Sequence, residues 1–481
     1  MRLDTSRWLV PGMVTAALLA GCAIGPDYKR PSVAEPQMFR GQPTAEAASL
    51  ADLPWWEVFQ DIILKNLLTE ALGSNYDVQI AAARVQEARA QLGVARSEFF
   101  PVIDYNVGAA RTRFNGAVLG LPGETSTNNI FHGFLSASWE IDIWGRIRRS
   151  NEAARASLLG TEEARRGVWL SLVSDLAQAY FELLALDVRL QIARDSTDAY
   201  QSTYNVFQDR LQVGVASKLE TSRAEGALGA AQASIPQLES DIVAKENQIS
   251  ILLGRSPGPI PRGMPMYAQA VVPTVPAGLP SALLERRPDL RQAEQNLVGA
   301  NANIGVAKAA FFPQLSLTAL LGKASPEVSA LTGGSATIWA VAGMLSGPIF
   351  EGGRNLSNYR VSKARWEQAK LQYEQAVLTA LREVSDALTL LGKLTEAETG
   401  QERSVKALEQ AVGFATDRYR HGFASYFEVL EALQQLYPAQ NTLAQIRRDR
   451  LLAHVLLYKA LGGGWSLTDP EWKDQAKKMA R

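Results

Sequence analysis

Four stretches of the chain alternate between apolar and polar residues. Leu135, Ala137, Trp139, Ile141 and Ile143 share one parity with Phe131, and His132, Ser136, Ser138, Glu140 and Asp142 share the other; Gly133 and Phe134 blur the start. Ile103, Tyr105 and Val107 alternate with Asp104, Asn106 and Gly108. Leu315, Leu317, Ala319 and Leu321 alternate with Gln314, Ser316 and Thr318, and Trp339, Val341 and Leu345 with Ala340, Ala342 and Ser346. Period two predicts strands with one apolar and one polar face. Such a sheet can cover a soluble core, or it can turn its apolar face to lipid and its polar face to water. Periodicity leaves both open.

The other dominant pattern is helical. No proline occurs from Gly145 to Val213. As one helix that stretch reaches on the order of 100 Å. Its apolar seam is Trp169, Val173, Leu176, Tyr180 and Leu183, in steps of four and three, interrupted further on by Asp187. Val377, Leu381, Val384, Leu388 and Leu391 repeat the seam. This spacing is that of coiled-coil packing. The remaining surface is rich in Ala, Gln, Glu, Arg and Ser, as suits one packed and one wet face. Pro438 is expected to kink the last long helix, and Ala230 stands at its equivalent place.

The two seams belong to an internal duplication. Gly93 to Pro101 recurs as Gly305 to Pro313, an offset of 305 − 93 = 212. Asp209 to Ser217 recurs as Asp417 to Ser425, an offset of 417 − 209 = 208. The difference places a length change between these markers. Each copy runs from a helical segment through Phe-Phe-Pro, two strands, a long helix, a Gly-x-x-Ser turn and a second long helix. The expected organisation is a leader over 1–21, an extended segment over 22–60, repeat 1 over 61–256 and repeat 2 over 289–464. Strand pairs fall near 101–145 and 313–350, a proline-rich linker covers 257–288, and a tail covers 465–481.

The leader changes the picture of the strands. Arg2 and Arg7 precede the short apolar run Leu9 to Ala20, which ends in Leu19-Ala20-Gly21-Cys22. That run is too short to span a bilayer. It resembles a bacterial lipobox, in which Cys22 becomes the lipid-bearing first residue, and Ala23 after it favours the outer membrane. Cys22 is the sole cysteine, so no internal disulfide forms. Beyond it no apolar run is long enough for a membrane helix, so any crossing must be made by strands. Four strands cannot close a barrel, which takes about eight or more. A membrane role therefore requires an oligomer.

Charge and chemistry narrow the function. The chain has 49 basic and 49 acidic residues, unlike a nucleic-acid-binding surface. His132, His421 and His454 are scattered, and no His or Cys spacing suits a metal. Gly462-Gly463-Gly464 lacks a following phosphate-binding Lys and reads as a helix stop. No catalytic constellation, metal site or cofactor site emerges, so an enzyme is not expected.

Gly25-Pro26-Asp27-Tyr28-Lys29-Arg30-Pro31, Trp55-Trp56 through Phe59, Leu279 to Leu290 and Gly347 to Arg354 together resemble the outer-membrane factor (TolC-like) family of tripartite efflux systems, in its NodT-type lipoprotein subfamily. The resemblance covers nearly the whole mature chain. It implies a mixed α+β membrane protein: a homotrimer with a long α-helical periplasmic barrel, in which four transmembrane β-strands per protomer complete a twelve-stranded β-barrel. It implies outer strand loops near Asn115 to Asn129 and Ser325 to Ser335. It also implies partners, namely a periplasmic adaptor protein and, through it, an inner-membrane transporter. By this resemblance Gly214, Ser217, Gly422 and Ser425 form adaptor-docking tips. Glu428 and Glu431 match acidic rings at the periplasmic aperture, and Tyr419 and Glu220 match a hydrogen-bonded closing pair. Ala424 occupies the place where some relatives carry a basic partner for that pair. The competing reading is a structural coiled-coil lipoprotein without a pore.

Overall fold

The computed structural model describes residues 23–33, 36–41, 58–114, 126–269, 278 and 280–463. The leader, Cys22, Trp55-Trp56, most of the first strand loop, Leu279 and the tail lie outside the described residues.

The duplication is visible as pairs of elements of equal length. Helix α1 (Ile62–Ser74) leads into α2 (Tyr76–Ser97), strands β1 (Val102–Phe114) and β2 (Ser126–Ile141), and helices α3 (Arg146–Gln212) and α4 (Lys218–Leu252). A short helix, α5 (Ala282–Arg286), then leads into α6 (Pro288–Ala309), β3 (Gln314–Ser325), β4 (Thr337–Ser346), α7 (Arg354–Arg420) and α8 (Tyr426–Ala460). Helices α3 and α7 each have 67 residues, and α4 and α8 each have 35. The offset falls from 288 − 76 = 212 at α2/α6 to 354 − 146 = 208 at α3/α7, so the length change lies in the strand pair. Strand β2 already begins at Ser126, so Ser126 to Asn129 belong to the sheet and not to the loop.

The chain forms two compact units, and each draws segments from both repeats. The first comprises residues 1–31, 84–162 and 292–373. It contains an antiparallel sheet of order β1-β2-β3-β4. Register places Ile103, Ala137, Ala319 and Val341 in one row across it, and Tyr105, Leu135, Leu321 and Trp339 in another. Trp139 and Leu317 share a third. All these residues lie on one face, and most of the large ones are exposed. The apolar rows run from Leu315 to Leu321, roughly 20 Å along the strand, and give way to Lys323 beyond. An exposed apolar face of this height suits a bilayer core.

At the sheet's helical end, Trp144 stacks on Phe312 at 4.7 Å and donates its indole N–H to the Pro313 carbonyl at 2.7 Å. The Phe-Phe-Pro of one repeat is thus packed on the strand-to-helix junction of the other. The segment after Cys22 is strapped to the same unit. Arg149 binds Asp27 at 2.7 Å, and Glu294 accepts from Tyr28 at 3.0 Å and from both Nε and Nη2 of Arg30 at 2.7 Å.

The second unit comprises residues 32–83, 163–291 and 374–481. Trp169, Val173, Leu176, Tyr180 and Leu183 are all buried, as the first seam predicts. The second seam is buried at Val377 and Val384, but Leu381, Leu388 and Leu391 are only half-buried, and Ala380 and Ala387 take the inner places. Its flank, Leu378 and Leu390, is exposed, leaving part of the α7 surface uncovered within one chain. Asp187 does not weaken the first seam, because Arg262 pairs with it at 2.9 Å and reaches Glu246 as well. Pro438 lies inside α8, and Pro236, six residues beyond the expected equivalent place, lies inside α4; both helices run on past their prolines. Among the described residues no helix is long and apolar enough to cross a membrane.

Candidate aperture and docking tips

Each long hairpin turns in the same way. At α3–α4, Gly214 takes φ +78°, its N–H bonds to the Leu211 carbonyl at 3.0 Å, and the Val215 N–H reaches back to Arg210 at 2.8 Å. At α7–α8, Gly422 takes φ +75°, with bonds to Tyr419 at 3.0 Å and from Phe423 to Arg418 at 2.9 Å. This is the Schellman arrangement, which satisfies the last carbonyls of the incoming helix and calls for glycine. A Cβ on either glycine would meet nothing within 4 Å. Backbone conformation, not crowding, therefore selects glycine at both tips.

The outgoing helices start differently although their residues match. Ser217 caps α4 in a full capping box: its hydroxyl accepts from the Glu220 N–H, and Glu220 accepts from the Ser217 N–H at 2.7 Å. Those hydrogen bonds from the Ser217 backbone and side chain, with Arg210 adding a smaller pull, hold the Glu220 carboxyl below its ordinary range. Ser425 makes no such side-chain cap at α8. Glu428, the counterpart of Glu220, turns instead to Arg418 at 3.3 Å.

The two hairpins meet through aromatic rings. Tyr419 stands edge-on to Tyr426 at 4.7 Å, and Tyr426 edge-on to Phe207 at 5.4 Å. The Tyr426 hydroxyl lies 3.1 Å from Thr203 Oγ1. Arg210 donates to the Tyr419 hydroxyl at 3.2 Å and lies over its ring. The structure therefore brings Tyr419 to Arg210 and leaves Glu220 in its own helix cap. The basic residues that meet Tyr419 and Glu428 are Arg210 and Arg418, and not a residue at the Ala424 position. Their signal was in the duplication, since both precede their tip glycine by four residues (Arg210 and Gly214, Arg418 and Gly422). Glu431 is exposed, and its side chain makes no hydrogen bond or ion pair among the described residues.

Among the described residues the sheet has two unpaired edge strands and an exposed apolar face beside long paired helices, the make-up of one protomer of an oligomeric membrane channel. The family described as "Outer membrane efflux protein" matches residues 67–255 and 279–463. The chain belongs to that family. It is 36% identical over 461 residues to the cation efflux system protein CusC of Escherichia coli K12, covering 95% of this chain and 99% of that protein. It is 34% identical over 459 residues to the toluene efflux pump outer membrane protein TtgC of Pseudomonas putida, covering 94% of each. The fold superimposes on a crystal structure of CusC with a TM-score of 0.82 and 34% identity, over 92% of this chain and 100% of that one. Proteins of this family are trimers that work with a periplasmic adaptor and an inner-membrane transporter. The chain is thus an outer-membrane efflux channel subunit, and three copies of its sheet make the twelve-stranded barrel.

Proposed function

We propose that the duct is passive and that its inner mouth is formed by the hairpin tips, with Tyr419, Glu220, Glu428 and Glu431 at the aperture. The observation that carries this reading is the pair of cross-links at the tips, Arg210 to Tyr419 and Arg418 to Glu428. Both hold an outgoing or neighbouring helix to the turn that a mouth would have to move. Three copies of Glu428 and Glu431 would concentrate negative charge and favour cations. No catalytic step enters; energy comes from the partner transporter. Residues 61–256 and 289–464 act as the two wall repeats, and 257–288 joins them.

Planar-bilayer recording tests the acidic ring. Glu431→Gln should lower cation selectivity and block by multivalent cations with little change in conductance. Glu428→Gln should lower selectivity and also loosen the mouth, because it frees Arg418. Unchanged selectivity in both variants rejects the ring.

Gly214, Ser217, Gly422 and Ser425 are proposed as the adaptor contact, since the glycines leave open space at the turn. Gly422→Asn tolerates the left-handed backbone and should keep export. Gly422→Trp should impair export while trimers still form. Equal export by the two variants would remove Gly422 from the docking surface.

Cys22 is proposed to carry the lipid. The intact mass of the mature protein should correspond to a chain starting at an acylated Cys22; an unmodified Cys22 would reject the anchor.

A further inference from the structure

The face of the sheet opposite the apolar rows is not uniformly polar. Near the helical end it carries Glu140, Ser316, Ser138 and Thr318. Two rows further out it changes character. Phe134 stands between Asn106 and Gly322, with Ile338 beyond, and Leu320 lies one row below. His132, one row above Phe134, stacks on it with ring centroids 4.8 Å apart and planes at 12°.

This ring pair is held in place. The His132 Nε2 lies 2.8 Å from Asn106 Oδ1. Since the amide oxygen can only accept, His132 donates from Nε2 and Nδ1 remains an acceptor when the ring is neutral. Gly108 faces His132 across the β1–β2 pair, and a Cβ there would come within 2.7 Å of the imidazole. Gly322 faces Phe134 across β2–β3, and a Cβ there would collide first with the Gly133 carbonyl oxygen and then, at 2.7 Å, with the phenyl ring. Two glycines thus make room for two rings on the face that the trimer turns to its water-filled lumen. Asp104, in the row below Phe134, makes no hydrogen bond or ion pair among the described residues.

We propose that Phe134, His132, Ile338 and Leu320, with Asp104 beneath them, form a binding belt in the barrel lumen for exported molecules that join a flat aromatic ring to a positive charge. The proposal rests on the duct reading, which puts this face toward the lumen. The rings supply stacking and apolar surface, and Ile338 and Leu320 flank them. Asp104 supplies a free carboxylate one row away, roughly 7 Å along the strand, close enough to attract the charge of a cationic ring held against Phe134. Charge complementarity selects the cation, and the apolar surroundings select the ring. A small, strongly hydrated metal ion gains nothing from Phe134 or Ile338. Threefold symmetry repeats the belt around the pore, so a molecule can pass from one copy to the next rather than being trapped.

The test uses the full-length trimer in planar bilayers, with ethidium as the probe added on the barrel side and tetramethylammonium as a cation without a ring. Ethidium should block the current and tetramethylammonium should not. Phe134→Ala with Ile338→Ala should raise the half-blocking ethidium concentration about tenfold or more, and Asp104→Asn should raise it severalfold, with unblocked conductance retained. Phe134→Leu keeps apolar bulk in the sheet and covers the case in which the double variant fails to assemble; it should still weaken block. The belt is overturned if ethidium block survives Phe134→Leu and Asp104→Asn unchanged. It is also overturned if block vanishes with Glu431→Gln while the belt is intact, which would place binding at the inner mouth. A rise in unblocked conductance without any change in block would identify an apolar barrier to water instead of a binding site. A trimer that conducts no ions at all would refute the duct itself, a result distinct from conduction without block.

Discussion

Replacing Asp61 by alanine is expected to cost about 3–5 kcal/mol of stability per protomer, because it removes the charged acceptor of several buried hydrogen bonds, each contributing roughly 1.5–3 kcal/mol and not fully additive. Asp61 is 1% exposed and precedes α1 as its cap. Its carboxylate accepts from the Ile63 and Leu64 N–H groups at 2.8 and 3.3 Å, from the Tyr180 hydroxyl at 3.0 Å, from the Met264 N–H at 2.9 Å and from the Gln269 amide at 2.8 Å. Tyr180 in turn accepts from the Gly263 N–H at 2.8 Å. One side chain therefore joins α1, the middle of α3 and the linker between the repeats. Alanine would leave several buried donors without a partner. Asparagine keeps one acceptor oxygen and should cost less, about 1–2 kcal/mol. Urea unfolding of the detergent-solubilised protein reads both; an Asp61→Ala protein as stable as the wild type would remove this junction from the account. The same site gives stability an acid limit. Burial opposes the charged form of Asp61, but the hydrogen bonds from Gln269, Met264, Tyr180 and Leu64 outweigh it and hold its pKa below the ordinary 3.8. A depressed carboxyl stabilises the fold fully above its unfolded value and loses that contribution as pH falls below it. The wild type should therefore lose stability below about pH 4, and Asp61→Ala should lose less over that interval.

This junction was hidden in the sequence, whereas the wall was not. The alternation through Leu135 to Ile141 and the proline-free run after Gly145 are local patterns, and local periodicity is what sets strand faces and helix seams. Offsets of 212 and 208 translated one copy into the other. Asp61, by contrast, acts on residues more than a hundred positions away, and no spacing announces that. Tyr180 was legible as a seam residue but not as a hydrogen-bond donor, because its place in the 4-3 pattern reports only its buried face. The second seam was legible in register but not in burial. Leu381, Leu388 and Leu391 follow the right spacing, yet one chain buries them only partly, since the pattern does not say which cover comes from a neighbour. At the tips the turn glycines were plain, while the use of Glu220 and Glu428 was not. The two acids occupy equivalent places, and a capping hydroxyl captures one while an arginine captures the other. Sequence equivalence fixes which residues are available, and small differences in loop geometry decide their partners.

Removing both tip cross-links should open the mouth far more than either link's strength suggests. Arg418 and Glu428 are each about half exposed, at 57% and 45%, so their pair contributes roughly 0.2–1 kcal/mol. The Arg210–Tyr419 contact adds a hydrogen bond and a cation–π interaction of about 0.5–1 kcal/mol. One protomer thus holds its tip closed by roughly 1 kcal/mol, too little to matter alone. A mouth made by three tips that open together multiplies that energy by three. About 3 kcal/mol shifts a closed-to-open ratio on the order of 100-fold. Arg210→Ala with Arg418→Ala should therefore raise the open fraction by about that factor, and Arg418→Ala alone by roughly tenfold or less. Glu431→Gln, which breaks no link, should leave it unchanged. Single-channel recording separates concerted from independent opening. Full-conductance openings without intermediate levels fit the ring, whereas three evenly spaced sublevels with an increase of only a few-fold would show that the tips move independently. The Arg418–Glu428 pair is exposed to solvent, so about 1 M salt should loosen the wild type toward Arg418→Ala but not as far as the double variant, because the other link, Arg210–Tyr419, is half-buried and joins a cation to a neutral ring. A double variant as tightly closed as the wild type would mean that helix packing around Tyr426, and not these two arginines, holds the mouth.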